Sequence, residues 1–214
     1  MALKLVGKEF HEQNISLNRE KLLKYFDARF PVQQELAERI TEIQQERICL
    51  LDIGCGVISK VGNFVEDKTI EKTLFDPLAN EYSLLQNKFQ LPPQSKMIAG
   101  YAENLEKHFP ENYFDVIYAR NCIDHCYNPI KALGKMVKVL QSGGLIFMQH
   151  FVNEGERAGY FGLHQWNFNL KESDFTITNR SCSININLNV YFKDECEISS
   201  YISNEKIFCI IKKL

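Results

Sequence analysis

The sequence predicts an α/β fold: a three-layer sandwich with a mostly parallel sheet between helices, ending in a C-terminal antiparallel strand pair. Three observations predict it. Apolar runs recur at 48–54, 72–77, 96–102, 114–121 and 143–151, several of them continuous, as strands buried on both faces are. Helical or loop segments separate them, and strand, helix, strand at this rhythm means parallel pairing with helices on both faces. Last, "ECEISSYIS" and "EKIFCIIKK" alternate as a terminal antiparallel pair does.

Each element has its own signal. "LNREKLLKYFDA" (17–28) places Leu22, Leu23, Tyr25 and Phe26 at helical spacing, and "PVQQELAERITEIQQER" follows with Pro31 at a first helical position. "NEYSLLQNKF" reads as helix or loop. In "PIKALGKMVKVLQ" one face carries Ile130, Leu133, Met136, Val137 and Leu140, and Gly143 and Gly144 beyond it stop the helix. "EGERAGYFGLHQWNF" has no clear period and reads as an ordered loop. "DFTITNRSCSININ" reads as a β-hairpin and "LNVYFKD" as a short helix.

Composition narrows the class. The 214 residues are 45% hydrophobic, with a formal net charge of -2, enough for one substantial core but not for two comfortable domains. A single domain over 1–214 is expected, with N-terminal helices at 1–47, a ligand-binding core at 48–151 and a loop, hairpin and terminal strands at 152–214. Without a basic stripe, neither nucleic acid nor an anionic membrane is an expected partner. No apolar stretch approaches the roughly 18 residues of a membrane span, so a cytoplasmic protein, monomer or homodimer, is expected. Seven scattered cysteines read as reduced thiols. Cys122, His125 and Cys126 lack a second ligand pair, so no metal is expected.

The chemistry begins at "ICLLDIGCGVISK", residues 48–60. A glycine turn after the first buried strand is where open α/β sheets bind ligands. Gly54, Gly56 and Ser59 imitate a dinucleotide fingerprint imperfectly, and Asp52 would repel a pyrophosphate. A ligand bearing a cationic amino group suits it.

Asp52, Gly54 and Gly56 resemble the first motif of class I S-adenosylmethionine-dependent methyltransferases, with Ile58 where a third glycine is usual. The resemblance covers residues 45–151 and implies a Rossmann-like fold with S-adenosylmethionine as cofactor and S-adenosylhomocysteine as product. Asp76, before Pro77, falls where the family places an acid on the ribose. "GYAENLE" resembles its adenine-contacting segment, with Tyr101 replacing the usual acid and contact passing to Ala102 and Glu103. "FDVIYARNCIDHCYNP" resembles its fourth motif, with Asn121 facing cofactor. Cys55 contributes its amide.

His125 is the first candidate for general base toward a hydroxyl acceptor, or else holds structure by hydrogen bonding. Asp124 is a weak candidate to orient it, because adjacent side chains rarely face each other. His164 and Glu156 are further catalytic candidates. Glu154, Arg157, Tyr160, Gln165 and Trp166 form a lining suited to a hydroxyl-rich acceptor, while Tyr160 and Trp166 fit loop anchors equally well. The tail resembles that of small bacterial methyltransferases associated with sugars and surface-glycan building blocks. The expected activity is O-methylation of a small polar metabolite, sugar-linked ones included. The alternatives are a methyltransferase-like binding or regulatory module without turnover, and a nicotinamide-dependent oxidoreductase. His11 fits either a surface residue or a cap over the cofactor.

Overall fold

A computed structural model describes residues 2–92 and 94–214. They fall into two compact units, Met1–Gly100 and Tyr101–Leu214.

The first unit opens with helix α1 (Ala2–Leu23), which reaches much farther toward the N-terminus than the periodicity at 17–28 suggests. It is interrupted at Asn18, whose amide nitrogen bonds Oδ1 of Asn14, a local side-chain contact that competes with helical geometry. Helix α2 (Gln34–Thr41) begins three residues after Pro31. Pro31 does not start the helix as expected, because it forms a bridge with Phe64. Strands β1 (Arg47–Ile53), β2 (Thr69–Asp76) and β3 (Met97–Ala99) are parallel, in the spatial order β3-β2-β1, with helix α3 (Ala79–Lys88) joining β2 to β3.

The link from β1 to β2, residues 54–68, contains no helix. Parallel strands usually need a helical crossover. Here "VISKVGNFVED" is rich in β-branched residues and carries Gly62 and Asn63, all poor helix formers. The segment is held by burial instead. Val57 and Ile58 pack with Ile15 and Leu22 of α1 and with Tyr82 and Leu85 of α3. Ile58 is therefore a core residue and not only a departure from a glycine motif.

The second unit contains β4 (Phe114–Arg120), α4 (Pro129–Val139) and β5 (Leu140–Phe151), followed later by β9 (Cys196–Ser203) and β10 (Lys206–Lys213). The spatial order is β4-β5-β10-β9, parallel between β4 and β5 and antiparallel onward, as the alternation of the C-terminal segments predicts. Helix α4 starts on a cap: the Asn128 side chain accepts from the Lys131 amide, and Pro129 supplies a first-turn residue that needs no hydrogen bond.

Between β5 and β9 lies a separate antiparallel sheet of β6 (Trp166–Lys171), β7 (Asp174–Asn179) and β8 (Asn185–Asn187), then the short helix α6 (Leu188–Tyr191). The segment expected as an ordered loop holds a one-turn helix, α5 (Glu154–Arg157), and delivers Trp166 into β6. Among the described residues no disulfide joins any of the seven cysteines, and no helix is long and apolar enough to cross a membrane.

The packing of the helix-free crossover is testable. Ile58→Ala should destabilise the protein by about 2–4 kcal/mol in urea unfolding, the range for emptying a buried aliphatic site; a loss under about 1 kcal/mol would mean that Ile58 is not core.

Candidate active site

The glycine turn is built from three constraints. Gly54 and Gly56 adopt φ of 63° and 65°, left-handed backbone that side chains resist. The Gly54 amide donates to the Phe75 carbonyl at 2.8 Å, tying the turn to the end of β2. The Gly56 amide donates to Oδ2 of Asp76 at 3.1 Å, while Oδ1 of Asp76 accepts from the Leu78 amide at 2.8 Å. Burial pushes the Asp76 carboxyl above its usual range, and those two amides oppose the shift. Each of its oxygens keeps a further lone pair. Pro77 is exposed beside it.

Asp52 is buried at the end of β1, and its charge acts on Lys72 of β2. The Lys72 ammonium is itself occupied, donating to the Gly62 carbonyl at 2.8 Å and to the Asn63 side chain. Cys55 is buried, and burial first, then Asp52 and Asp76, push its thiol well up, so it stays protonated. His11 lies over the turn: a Cβ added to Gly56 would meet its Cε1 at 3.6 Å, and its ring meets Tyr82 edge-on at 4.9 Å. Burial, helped by Lys60, lowers the His11 pKa to about 4.

In the second unit, Tyr101 is exposed and its ring lies 6.1 Å from that of Tyr127. Ala102 is buried. Glu103 is buried too, and its carboxylate accepts from the Asn128 amide at 3.2 Å, bracing the entry to α4. Asn121, the residue after β4, adopts a left-handed conformation (φ 47°), which asparagine tolerates better than most residues. Its Oδ1 is buried with no hydrogen-bond donor among the described residues.

A short 3₁₀ turn, Ile123–His125, follows and presents Asp124 and His125 to one another despite their adjacency. Oδ2 of Asp124 stands 2.9 Å from Nδ1 of His164 and 3.4 Å from Nε2 of His125, and the two ring nitrogens are 3.2 Å apart. Oδ1 of Asp124 is 3.5 Å from Nδ1 of His150, a fully buried residue of β5 that packs edge-on against Phe168. Burial pushes the Asp124 carboxyl up, but His150 and His164 beside it win and hold it well below the carboxylate range. Burial holds His125 below the usual histidine range against the pull of Asp124. The bond to Asp124 raises His164, with burial opposing.

The structure thus brings His125 and His164 together, and adds Asp124 and His150, neither of which stood out as catalytic in sequence. Glu156 is exposed, and its side chain accepts from Asn153. Arg157 is spent on Glu154, on Glu205 and on the face of Phe151. The Tyr160 hydroxyl accepts from Asn167, and Trp166 is buried with Nε1 donating to the Cys126 carbonyl at 2.9 Å. Gln165 donates to the carbonyls of Tyr160 and Gly162. Gln165 and Trp166 also line a depression with Asn179, Arg180, Ser181 and Ile184.

The residues fit S-adenosylmethionine better than a dinucleotide. Glycine turns that hold a pyrophosphate use the N-terminus of the helix that follows, and here no helix follows. What the turn offers is buried acid, Asp52 and Asp76, together with left-handed glycines; farther along, Asn121 Oδ1 is an acceptor in need of a donor.

Comparisons with known proteins agree. The family model described as "Methyltransferase domain" matches residues 51–148. No curated protein matches the sequence. Among solved structures, a candidate S-adenosyl-L-methionine-dependent methyltransferase from Methanococcus maripaludis superposes with TM-score 0.57 at 14% identity, covering 96% of this chain and 91% of that one. The CurJ carbon methyltransferase superposes with TM-score 0.58 at 16% identity over 81% of this chain, which spans only 50% of the length of that one. A further candidate methyltransferase, from Listeria monocytogenes, gives TM-score 0.53 at 10% identity over 84% of this chain and 98% of its own. At these identities the superpositions establish the Rossmann-like fold, and the family match carries the activity.

The state of His11 makes stability depend on pH. With its pKa about 4 in the fold against an ordinary 6.5, the unfolded chain takes up a proton first as pH falls. The contribution is complete above pH 6.5, declines toward pH 4 and is flat below. His11→Asn should therefore show a smaller loss of urea-measured stability between pH 7.5 and pH 4.5 than the unaltered protein; equal losses would remove the assignment. Asp52, the left-handed Gly54 and Gly56, the second of them braced by Asp76, and the family match lead to one conclusion: residues 51–148 carry a class I S-adenosylmethionine-dependent methyltransferase domain.

Proposed function

We propose that the protein methylates an oxygen of a small polar acceptor, sugar-linked molecules included. When bound, S-adenosylmethionine supplies an electrophilic methyl on a sulfonium. Asp52 receives its ammonium, the Gly54, Cys55 and Gly56 backbone lies against its amino-acid end, and the spare lone pairs of Asp76 take the ribose hydroxyls. Pro77 follows Asp76, and in the second unit Tyr101, the Ala102 amide, Glu103 and Asn121 Oδ1 are the groups offered to the adenosine part of the same ligand.

The observation that carries the acceptor chemistry is the convergence of Asp124, His125 and His164. Asp124 is sealed, yet the His125 and His164 side chains remain 36% and 33% exposed, so the cluster has one open side. A hydroxyl presented there meets a concentration of negative charge and imidazole nitrogen suited to draw off its proton as the new oxygen–carbon bond forms. Much of the remaining acceleration comes from holding the oxygen in line.

Gln165, adjacent to His164 in the chain, shares a depression with Trp166, Asn179, Arg180 and Ser181, which offers amide, guanidinium and hydroxyl groups. That mixture supports a hydroxyl-rich acceptor. Glu154, whose charge acts on His164, belongs to the same side, whereas Glu156, Arg157 and Tyr160 support the loop that carries His164.

Two substitutions separate the halves of the proposal. Asp52→Ala should weaken S-adenosylhomocysteine binding in calorimetry at least tenfold. His125→Ala should leave that affinity intact and lower turnover by about 100-fold, within the range for lost proton-transfer assistance. Turnover is read as tritiated methyl transfer to a panel of free sugars, nucleotide sugars and hydroxy acids. Transfer to amines alone would overturn the oxygen assignment.

A further inference from the structure

The triangle Asp124 Oδ2, His164 Nδ1 and His125 Nε2 poses a problem that hydrogen bonds solve poorly. Its edges are 2.9, 3.2 and 3.4 Å. A neutral His164 has one proton on Nδ1, and giving it to Asp124 satisfies the shortest edge. Nε2 of His125 then points either a lone pair at a nitrogen whose proton is already used or a second N–H at that same N–H. One proton cannot serve three convergent donors of electron pairs. One cation can.

The dimensions suit a cation. A metal about 2.1 Å from each donor separates neighbouring donors by about 3.0 Å in an octahedral arrangement and about 3.4 Å in a tetrahedral one. All three edges fall in or next to that interval. Two imidazoles and one carboxylate on one triangular face form a set used by first-row transition metals, with the remaining positions open. The surroundings match as well. Asp124 is 2% exposed, and its outer oxygen is 3.5 Å from His150, a buried imidazole able to orient the ligand carboxylate. Oδ1 of Asp124 has no hydrogen-bond partner among the described residues, so that oxygen keeps both lone pairs for a ligand or an orienting contact. The open side lies at His125 and His164, where an exchangeable ligand would enter.

We propose that Asp124, His125 and His164 bind a divalent first-row transition metal, whose open positions take the acceptor's hydroxyl. This rests on the reading of the cluster as the acceptor side. With the ion in place the two imidazoles act as ligands instead of taking the proton themselves, and a hydroxyl bound to such an ion loses its proton to solvent more readily. Its oxygen lone pair then forms the bond to the methyl carbon, while the carbon–sulfur bond breaks and its electron pair stays on sulfur, leaving a neutral thioether. The metal neither gains nor loses electrons. The cysteines take no part: the group of side chains that converges contains none, unlike the Cys122, His125 and Cys126 set that the sequence alone brings to mind.

The test uses full-length protein stripped with chelator and equilibrated with cobalt(II) at neutral pH. The expected result is one ion per chain with weak visible bands of nitrogen and oxygen ligation and no intense near-ultraviolet thiolate band. Asp124→Asn, nearly isosteric, and His164→Ala should each weaken binding at least tenfold while circular dichroism stays unchanged. Failure of the unaltered protein to retain cobalt, thiolate bands, or folded variants that bind as well as the parent would each overturn the inference. S-adenosylhomocysteine titrated into the same stripped samples keeps the two readings apart. If it binds where cobalt does not, only the metal site falls; if it fails to bind, the methyltransferase reading falls.

Discussion

The hydrogen bond from the Gly56 amide to Asp76 is the contact on which the first unit's glycine turn depends. It joins the turn after β1 to the end of β2, and the Gly54 amide on the Phe75 carbonyl repeats the tie one step earlier. In most parallel α/β folds the helix after the first strand would hold that turn. Here the crossover is irregular, so a buried carboxylate and an apolar plug of Val57 and Ile58 do the work of the missing helix. The same substitution changes what the turn can bind. Without a helix N-terminus behind it, and with Asp52 and Asp76 beside it, the turn has lost its attraction for phosphate and retains one for cationic and hydroxyl groups.

The second unit is organised around another buried carboxylate. Asp124 is nearly sealed from water and stands among three histidines. A carboxylate in such a place stays charged only if its surroundings compensate it, and here imidazoles do so from three directions. The elements that bring them are unrelated in sequence: the turn after β4 supplies Asp124 and His125, β5 supplies His150, and the segment before β6 supplies His164. Trp166, bonded through its indole to the Cys126 carbonyl, fixes the last of these against the first. Glu156, Arg157, Gln165 and Tyr160 spend their polar groups inside that segment or on Asn153, Asn167 and Glu205, which holds His164 in place.

Much of this was legible in sequence for a simple reason: the strands and the helix after Pro129 write their burial into local periodicity, and the hairpin and terminal pair write it into alternation. What was not legible depends on distant partners. Pro31 carries the signature of a helix start, but its bridge to Phe64 postpones the helix to Gln34. The helix-free crossover could have been suspected from Val57, Ile58, Val61 and Gly62, whose propensities oppose a helix. Adjacent side chains seldom face one another, which argues against Asp124 in the sequence, and the 3₁₀ turn defeats that rule. His150 sits in an apolar strand with no local sign of its partner. The acidic and glycine residues of the first motif were readable because their spacing is itself the signal, whereas the bracing role of Glu103 appears only once Asn128 is seen beside it.

What the glycine turn accepts decides the chemistry of the whole molecule. Calorimetric titration of the unaltered protein with S-adenosylhomocysteine, run in parallel with NADH, addresses this directly. One molecule of S-adenosylhomocysteine per chain and no heat from NADH is the outcome that a helix-free, acid-lined turn requires. Saturable NADH binding, with S-adenosylhomocysteine inert, would contradict it.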